Sequence, residues 1–515
     1  MPTPVVNTSS AAQVAPQKPE RKPDPCVVVI FGASGDLTKR KLLPALYHLE
    51  QAGLLPEDIS VVGVARRALE TSFPPDMKDG ILAGGGVQES EEKLAPFVSK
   101  VAYFALNFDD DGGYARLKEM LDGIDQKSGT KGNRLFYLAT APEYFADIIN
   151  FLGKHGMNKP DAAKPGSWVR TIIEKPFGHD LESARKLNDD VNKVFAEDQI
   201  FRIDHYLGKE TVQNILVFRF GNTIFENLWN SKFIDHVEIT ASESIGIEGR
   251  GPFYETAGAL RDVMQNHVME LLSFVAMEAP ESFEADAIRA AKVKLWRAIQ
   301  PIAPEHAIRG QYGPATVDGK EIAGYRQEER VNPESQTETY AALRLSIENE
   351  RWNGVPFYLR VGKRLAKRVA DITITFKQPE VDMFPGATGG AEGVQSNIIS
   401  MRIQPNEGIT LRFGAKVPGA QMTVGQVNMS FSYADTFGAS SANGYERLLL
   451  DAMLGDGTLF THRDGVEATW GLMTPVLEHW AQNPLQDLPN YPAGSWGPAA
   501  ADAMLQKDGK AWRPL

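Results

Sequence analysis

The sequence predicts an α/β domain with a doubly wound parallel sheet, followed by an α+β domain with a large, mostly antiparallel sheet. Three observations carry the prediction. The apolar run Cys26–Phe31 leads into a Gly-rich turn and a helically spaced stretch. Further apolar strands separated by helical stretches recur to residue 173, as buried parallel strands require. Beyond about residue 204 the strands lengthen and alternate in polarity, the pattern of an antiparallel sheet.

Taken in order, residues 1–25 are rich in Pro, Ala, Gln, Ser and Lys without apolar periodicity, and are expected to be a disordered tail. Cys26–Phe31 then forms the first strand, Gly32 to Asp36 a turn, and residues 42–49 a helix. Strands at residues 59–64, 134–139 and 169–173, with helices between them, extend residues 26–203 into a Rossmann-type domain. In residues 204–515 a helix is expected at 258–276. Alternating strands are expected at 237–243, 337–347, 371–376, 397–404, 408–413 and 427–433. So many alternating segments predict a sheet with one face under helices and the other free to meet water or a partner. Residues 379–393 read as a loop, and the chain from residue 480 reads as Pro-rich and irregular.

A chain of 515 residues with 43% hydrophobic and 23% charged residues has the apolar material for two or three domains. Its net charge of -12 argues against a sequence-independent nucleic-acid binder, which needs a basic footprint. A negatively charged substrate must then be held by a few local cations. The single cysteine, Cys26, allows no intrachain disulfide and reads as a small apolar residue opening a strand. No apolar run is long enough to cross a bilayer, and the start lacks a basic region followed by an apolar one. A cytoplasmic protein without a membrane partner is expected.

Gly32, Ser34, Gly35, Asp36 and Leu37 lie where a strand opens into a helix, where backbone N–H groups and the helix dipole favour a pyrophosphate. The spacing GxxGDL departs from the usual GxGxxG. After the second strand come Arg66 and Arg67, with no acid beside them. An acid there selects NAD, whereas guanidiniums suit the 2′-phosphate of NADP, so NADP is expected and NAD remains a weaker alternative. The plain reading of the pair is two solvated arginines. Lys175 follows the strand ending at Ile173 and could bridge cofactor and substrate, or simply pair with Glu174. Pro176 is a candidate cis proline. In the run Arg202 to Lys209, His205, Tyr206 and Lys209 supply the donors and cation that a phosphate needs. His267 is a candidate base; Asp262, five residues before it on an α-helix, would not face it. No metal site is expected.

From about Cys26 to Gln482 the chain resembles the glucose-6-phosphate dehydrogenase family, through GASGDLTKRKLLPAL, RLFYLA, EKPFG, RIDHYLGKE, EGRGPFYE, RDVMQNH, VPFYLRVGKRL, RIQPNE and YERLLLD. The resemblance implies that His205, Tyr206, Lys209 and Lys363 hold the substrate phosphate, with Arg368 near them. It implies that Lys175, Glu243, Asp262 and Gln404 contact the sugar, that His267 is the base, and that Asp204 orients it. Ser34, Gly35, Asp36, Leu37 and Arg66 are assigned by it to NADP. It implies a homodimer or homotetramer paired through the large sheet, with residues 26–203 binding NADP and 204–515 binding substrate. At the second, structural NADP site that the resemblance implies for eukaryotic members of the family, this chain has Val369 and Ser242 in place of basic residues, so that site is not expected.

Two alternatives stay open at this point: an oxidoreductase for an unphosphorylated sugar, and a catalytically inactive sugar-phosphate-binding relative. An uncharged sugar gives Lys209 and Lys363 nothing to neutralise. An inactive relative predicts the loss of one of Asp204, His205, Lys209 or His267, and all are present.

Overall fold

The computed structural model describes residues 21–69, 73–84, 91–384, 395–438 and 444–515. Val and Ile dominate the first strands, and β1 (Cys26–Phe31) and β2 (Ile59–Ala65) are buried along their whole length. With β3 (Val101–Ala105), β4 (Arg134–Leu138), β5 (Val169–Ile173) and β6 (Ile200–Arg202) they make a parallel sheet in the order β3-β2-β1-β4-β5-β6. The order reverses between β1 and β4, which opens a crevice at the carboxyl ends of the strands. Cys26 is fully buried in β1, and burial pushes its thiol up to about 12, as befits a packing residue.

The second sheet runs β17-β16-β15-β14-β7-β13-β12-β8. Its strands are β7 (Ile234–Ser242), β8 (Ala307–Gly310), β12 (Tyr340–Ser346), β13 (Pro356–Gly362), β14 (Val369–Phe376), β15 (Ile398–Gln404), β16 (Gly408–Lys416) and β17 (Val424–Ser432). Only β7 and β13 pair in parallel. The short strands β9 (Tyr312–Gly313), β10 (Ala315–Val317), β11 (Lys320–Ile322) and β18 (Tyr491–Pro492) lie outside it. Both predicted sheets are present. The sequence reading did not single out β3, β6, β8 or the central β13.

Two expectations are corrected. The middle of the second sheet has no free face: β13 is buried at every residue, and so is β14 except for its last. Nor is the chain after residue 480 irregular. There β18 pairs with β9, the helix Ala499–Gln506 follows, and Trp512 lies over Arg360 with 4.3 Å from guanidinium to ring centroid. This segment caps the face expected to be open, where an unaccompanied buried arginine would be costly. Of the predicted tail, residues 1–20 lie outside the described residues, while the Pro25 carbonyl accepts a 2.8 Å hydrogen bond from Asn133. Residues 379–384 are irregular as expected, and the rest of that predicted loop also lies outside the described residues.

Candidate active site

Asp204 follows β6 in a turn that leads to the helix Glu210–Phe220. Its Oδ1 accepts the Tyr206 N–H at 2.9 Å and meets His267 Nδ1 at 2.5 Å. Both side chains are buried, and Asp204 Oδ2 has no hydrogen-bond partner among the described residues. His267 sits on a helix that differs from the expected one. An α-helix begins earlier, at Gly251–Ala259, breaks at Gly258 (φ 63°), and continues as a π-helical stretch, Leu260–Val268, before Met269–Ala276. A side chain at Gly258 would strike Glu338, whose Oε1 accepts the Leu260 N–H at 3.0 Å. In a π-helix the hydrogen bonds span five residues, so Asp262 and His267 rise from adjacent turns and both line one groove. The acid that meets His267 is Asp204, from another segment, whereas Asp262 pairs with Lys175.

The Tyr206 ring stacks on His267 with centroids 4.3 Å apart, and the His205 ring meets it edge-on at 4.6 Å. Lys209 Nζ lies 4.5 Å from the Tyr206 ring centroid and donates to Gln404 Oε1 at 2.5 Å. Lys363, at the end of β13, pairs with Glu243 at the end of β7 and lies over the Tyr254 ring. Arg368 lines the same groove, of about 530 Å³. On its other side Lys175, after β5, donates to the Asp262 carbonyl at 2.7 Å and to its Oδ1 at 3.2 Å. The Lys175–Pro176 and Gln404–Pro405 bonds are cis. The structure thus gathers every predicted substrate residue into one groove, with Asp204 behind His267.

Burial and the nearby Lys175 ammonium hold His267 well below the ordinary imidazole value, and burial with the neighbouring His267 does the same to His205. Burial thus favours the neutral form of both rings. Burial pushes Asp204 up. Asp262 goes down to about 2, because the ammoniums of Lys175 and Lys363 outweigh its burial. Burial pulls Lys209 down to about 8. Glu174, beneath the groove, is pushed up by burial to about 7 and accepts the Tyr137 hydroxyl at 2.6 Å.

The predicted cofactor residues lie at the carboxyl edge of the first sheet. Gly32 has φ 91°, and a Cβ there would strike the Ala139 carbonyl, so only glycine lets the turn pass β4. Arg66 is exposed beyond β2 and donates to the Tyr144 hydroxyl at 2.9 Å; Arg67 is exposed beside it. Leu37, expected on the cofactor side, also reaches the lining of the substrate groove. A second hollow, of about 640 Å³, opens beside the ends of β4 and β5 against Pro142, Pro176, Gly178 and Leu187. It shares Lys175, Phe253 and Asp262 with the groove.

Sequence reasoning missed Lys41, Arg250, Tyr254 and Tyr445 as groove lining. All four lie inside quoted motifs, but nothing in local spacing tells which face of each segment meets the groove. Tyr445 arrives on the helix Gly444–Leu454, where its ring stacks on that of His205, more than two hundred residues earlier in sequence, with centroids 5.6 Å apart.

The family model for the glucose-6-phosphate dehydrogenase NAD-binding domain matches residues 29–214, and that for the family's C-terminal domain matches 216–513. The chain belongs to the glucose-6-phosphate dehydrogenase family. It is 49% identical over 495 residues to glucose-6-phosphate 1-dehydrogenase of Chlamydia pneumoniae, covering 95% of this chain and 96% of that one. It is 47% identical over 497 residues to the enzyme of that name from Aggregatibacter actinomycetemcomitans, covering 96% and 98%. A solved structure described as glucose-6-phosphate dehydrogenase in complex with its substrate glucose-6-phosphate superposes with a TM-score of 0.86 at 35% identity, covering 96% of this chain and all of that one. As a member of this family the chain is an oxidoreductase with a nicotinamide cofactor. The residues fit that group: a glycine turn at a helix start for the pyrophosphate, and two exposed guanidiniums beyond β2, that of Arg66 resting on Tyr144. Among the described residues no helix is long and apolar enough to cross a membrane.

Proposed function

We propose that this chain oxidises D-glucose 6-phosphate to 6-phospho-D-glucono-1,5-lactone, the opening step of the oxidative pentose phosphate pathway, and that it prefers NADP over NAD. The observation that carries this reading is the short, buried Asp204–His267 pair in the wall of a groove that also collects Lys209, Lys363 and Arg368.

In this reading the phosphate dianion lies among Lys209, Lys363 and Arg368, with His205 and Tyr206 as further donors. Lys175, Glu243, Asp262 and Gln404 orient the sugar hydroxyls. Because Asp204 takes Nδ1 of His267, the lone pair on Nε2 is left to accept the proton of the C1 hydroxyl. The Asp204 carboxylate then stabilises the imidazolium that forms. When bound, the nicotinamide accepts the hydride released from C1. Lys175 and Asp262 border both hollows and so hold sugar and cofactor in mutual register.

NADP preference is supported by Arg66 and Arg67, which offer donors to a 2′-phosphate. Gly32, Ser34, Gly35, Asp36 and Leu37 would hold the rest of the dinucleotide. A homodimer or homotetramer is supported by apolar side chains exposed near the β16–β17 edge, Val417, Met422, Met429 and Phe437. A domain division at residues 203 and 204 and a cytoplasmic location belong to the same reading.

The test is NADPH absorbance with glucose 6-phosphate and NADP, run beside glucose and beside NAD. Reduction is expected with the sugar phosphate, faster with NADP. Folded, cofactor-binding protein that reduces nothing with any sugar phosphate overturns the reading. Light scattering on a sizing column checks the oligomer.

A further inference from the structure

We propose that Tyr491 is a positioning residue for substrate binding, and that residues 491–495 form a strut holding the loop that carries Lys363 and Arg368. The proposal rests on the reading of those two cations as phosphate ligands. Nothing in the local sequence links the two segments, and the chain beyond residue 480 has no role in the reading above.

The main chain of Lys363 is pinned at both ends. Its N–H donates to the Thr339 carbonyl at 2.9 Å, and its carbonyl accepts the Tyr491 hydroxyl at 2.8 Å. That hydroxyl sits closer to the Lys363 carbonyl than to the Thr339 carbonyl, 3.3 Å away, and with its proton on Lys363 it accepts from Thr339 Oγ at 2.8 Å, which in turn accepts the Tyr312 N–H at 3.0 Å. Tyr491 is buried, which leaves no water to replace the bond.

The contacts continue along the loop. The Gly494 N–H donates to the Arg364 carbonyl at 2.7 Å, and the Ala366 N–H donates to the Ser495 carbonyl at 3.0 Å. Arg364, between the two cations, has φ 51°, a left-handed conformation that persists only where neighbours hold it. On the opposite side its N–H donates to the Ile245 carbonyl at 3.0 Å. The loop is therefore clamped between the extension of β7, which carries Glu243, and the strut. Releasing the strut side frees the Lys363 ammonium from its register with Glu243 while leaving the Asp204–His267 pair untouched. The strut thus acts on sugar-phosphate affinity and not on the chemical step.

Tyr491→Phe removes one hydroxyl and keeps the ring. It is expected to raise KM for glucose 6-phosphate about fivefold to tenfold, as loss of one buried hydrogen bond implies. The kcat and the cofactor KM should change by less than about twofold, and inorganic phosphate should weaken as a competitive inhibitor by the same factor as the substrate. Thr339→Val, which leaves the hydroxyl undirected, should move KM the same way by about threefold and serves if Tyr491→Phe does not fold. Tyr340→Phe is the packing control, since its ring packs edge-on against Tyr491 with centroids 5.7 Å apart and its hydroxyl has no hydrogen-bond partner among the described residues; its KM should stay at the parent value. An unchanged KM in the folded Tyr491→Phe enzyme overturns the strut, and so does a parallel change in kcat and both KM values. Lys363→Met separates the two layers. If it leaves KM unchanged, the phosphate reading fails; if it raises KM while Tyr491→Phe does not, only the strut fails.

Discussion

Arg66 and Arg67 stand exposed beyond β2, whereas Asp204, His267 and Lys363 of the substrate groove are 5%, 3% and 3% exposed. Exposed charges act through water, are screened by salt and hold a ligand loosely. Buried charges depend on one another, and removing one leaves its partner stranded. In the proposed function the exposed pair would serve discrimination between similar cofactors, and the buried groups fixed geometry and proton transfer.

The contrast is broken most severely at the base. His267→Asn is expected to lower kcat by about a hundredfold to ten-thousandfold while glucose 6-phosphate still binds, measured by steady-state kinetics beside direct binding. A loss of binding alone would contradict its role.

Glu174 tests burial itself. Its folded carboxyl is raised from 4.5 to about 7, so between those values the folded chain keeps a proton that the unfolded chain has lost. Stability therefore falls as pH rises through that window, by about 3 kcal/mol for this group. Glu174→Gln stays neutral and can still accept the Tyr137 hydroxyl. Its urea midpoint should match the parent at pH 4 and exceed it at pH 8; parallel midpoints would show that Glu174 is not protonated in the fold.

Lys363→Met should raise KM for glucose 6-phosphate about thirtyfold to a hundredfold, the loss of a charged hydrogen bond to a dianion. The smallest effect belongs to the exposed side. Arg66→Ala should raise KM for NADP about tenfold and leave that for NAD within about twofold. Added salt should shrink that difference more than it shrinks the Lys363 effect. Equal salt sensitivity at both sites would erase the distinction drawn here.

Much of the site was legible in the sequence because its residues sit in short segments with their own signals. Lys175 follows an apolar strand, the Gly32 turn follows another, and His205, Tyr206 and Lys209 lie together in a single run. The role of Asp204 came from family resemblance, since its partner is 63 residues away. The π winding that carries Asp262 and His267 was not legible, because a change from α to π winding leaves no mark in apolar periodicity. The middle strand β13 was not singled out although Phe357, Leu359 and Val361 alternate with Tyr358 and Arg360, and only the structure shows both of its faces covered.

By itself the sequence determined the two sheet types, the turn after β1 and the inventory of cations and imidazoles, because strand periodicity, glycine turns and side-chain chemistry are local. Only the tertiary structure decided which of those groups meet. It set Asp204 against His267, brought Tyr445 to His205, and laid residues 491–495 along the Lys363 loop. Such pairings depend on how sheets and helices pack across long separations, and burial then sets their charge states, so no window of sequence contains them.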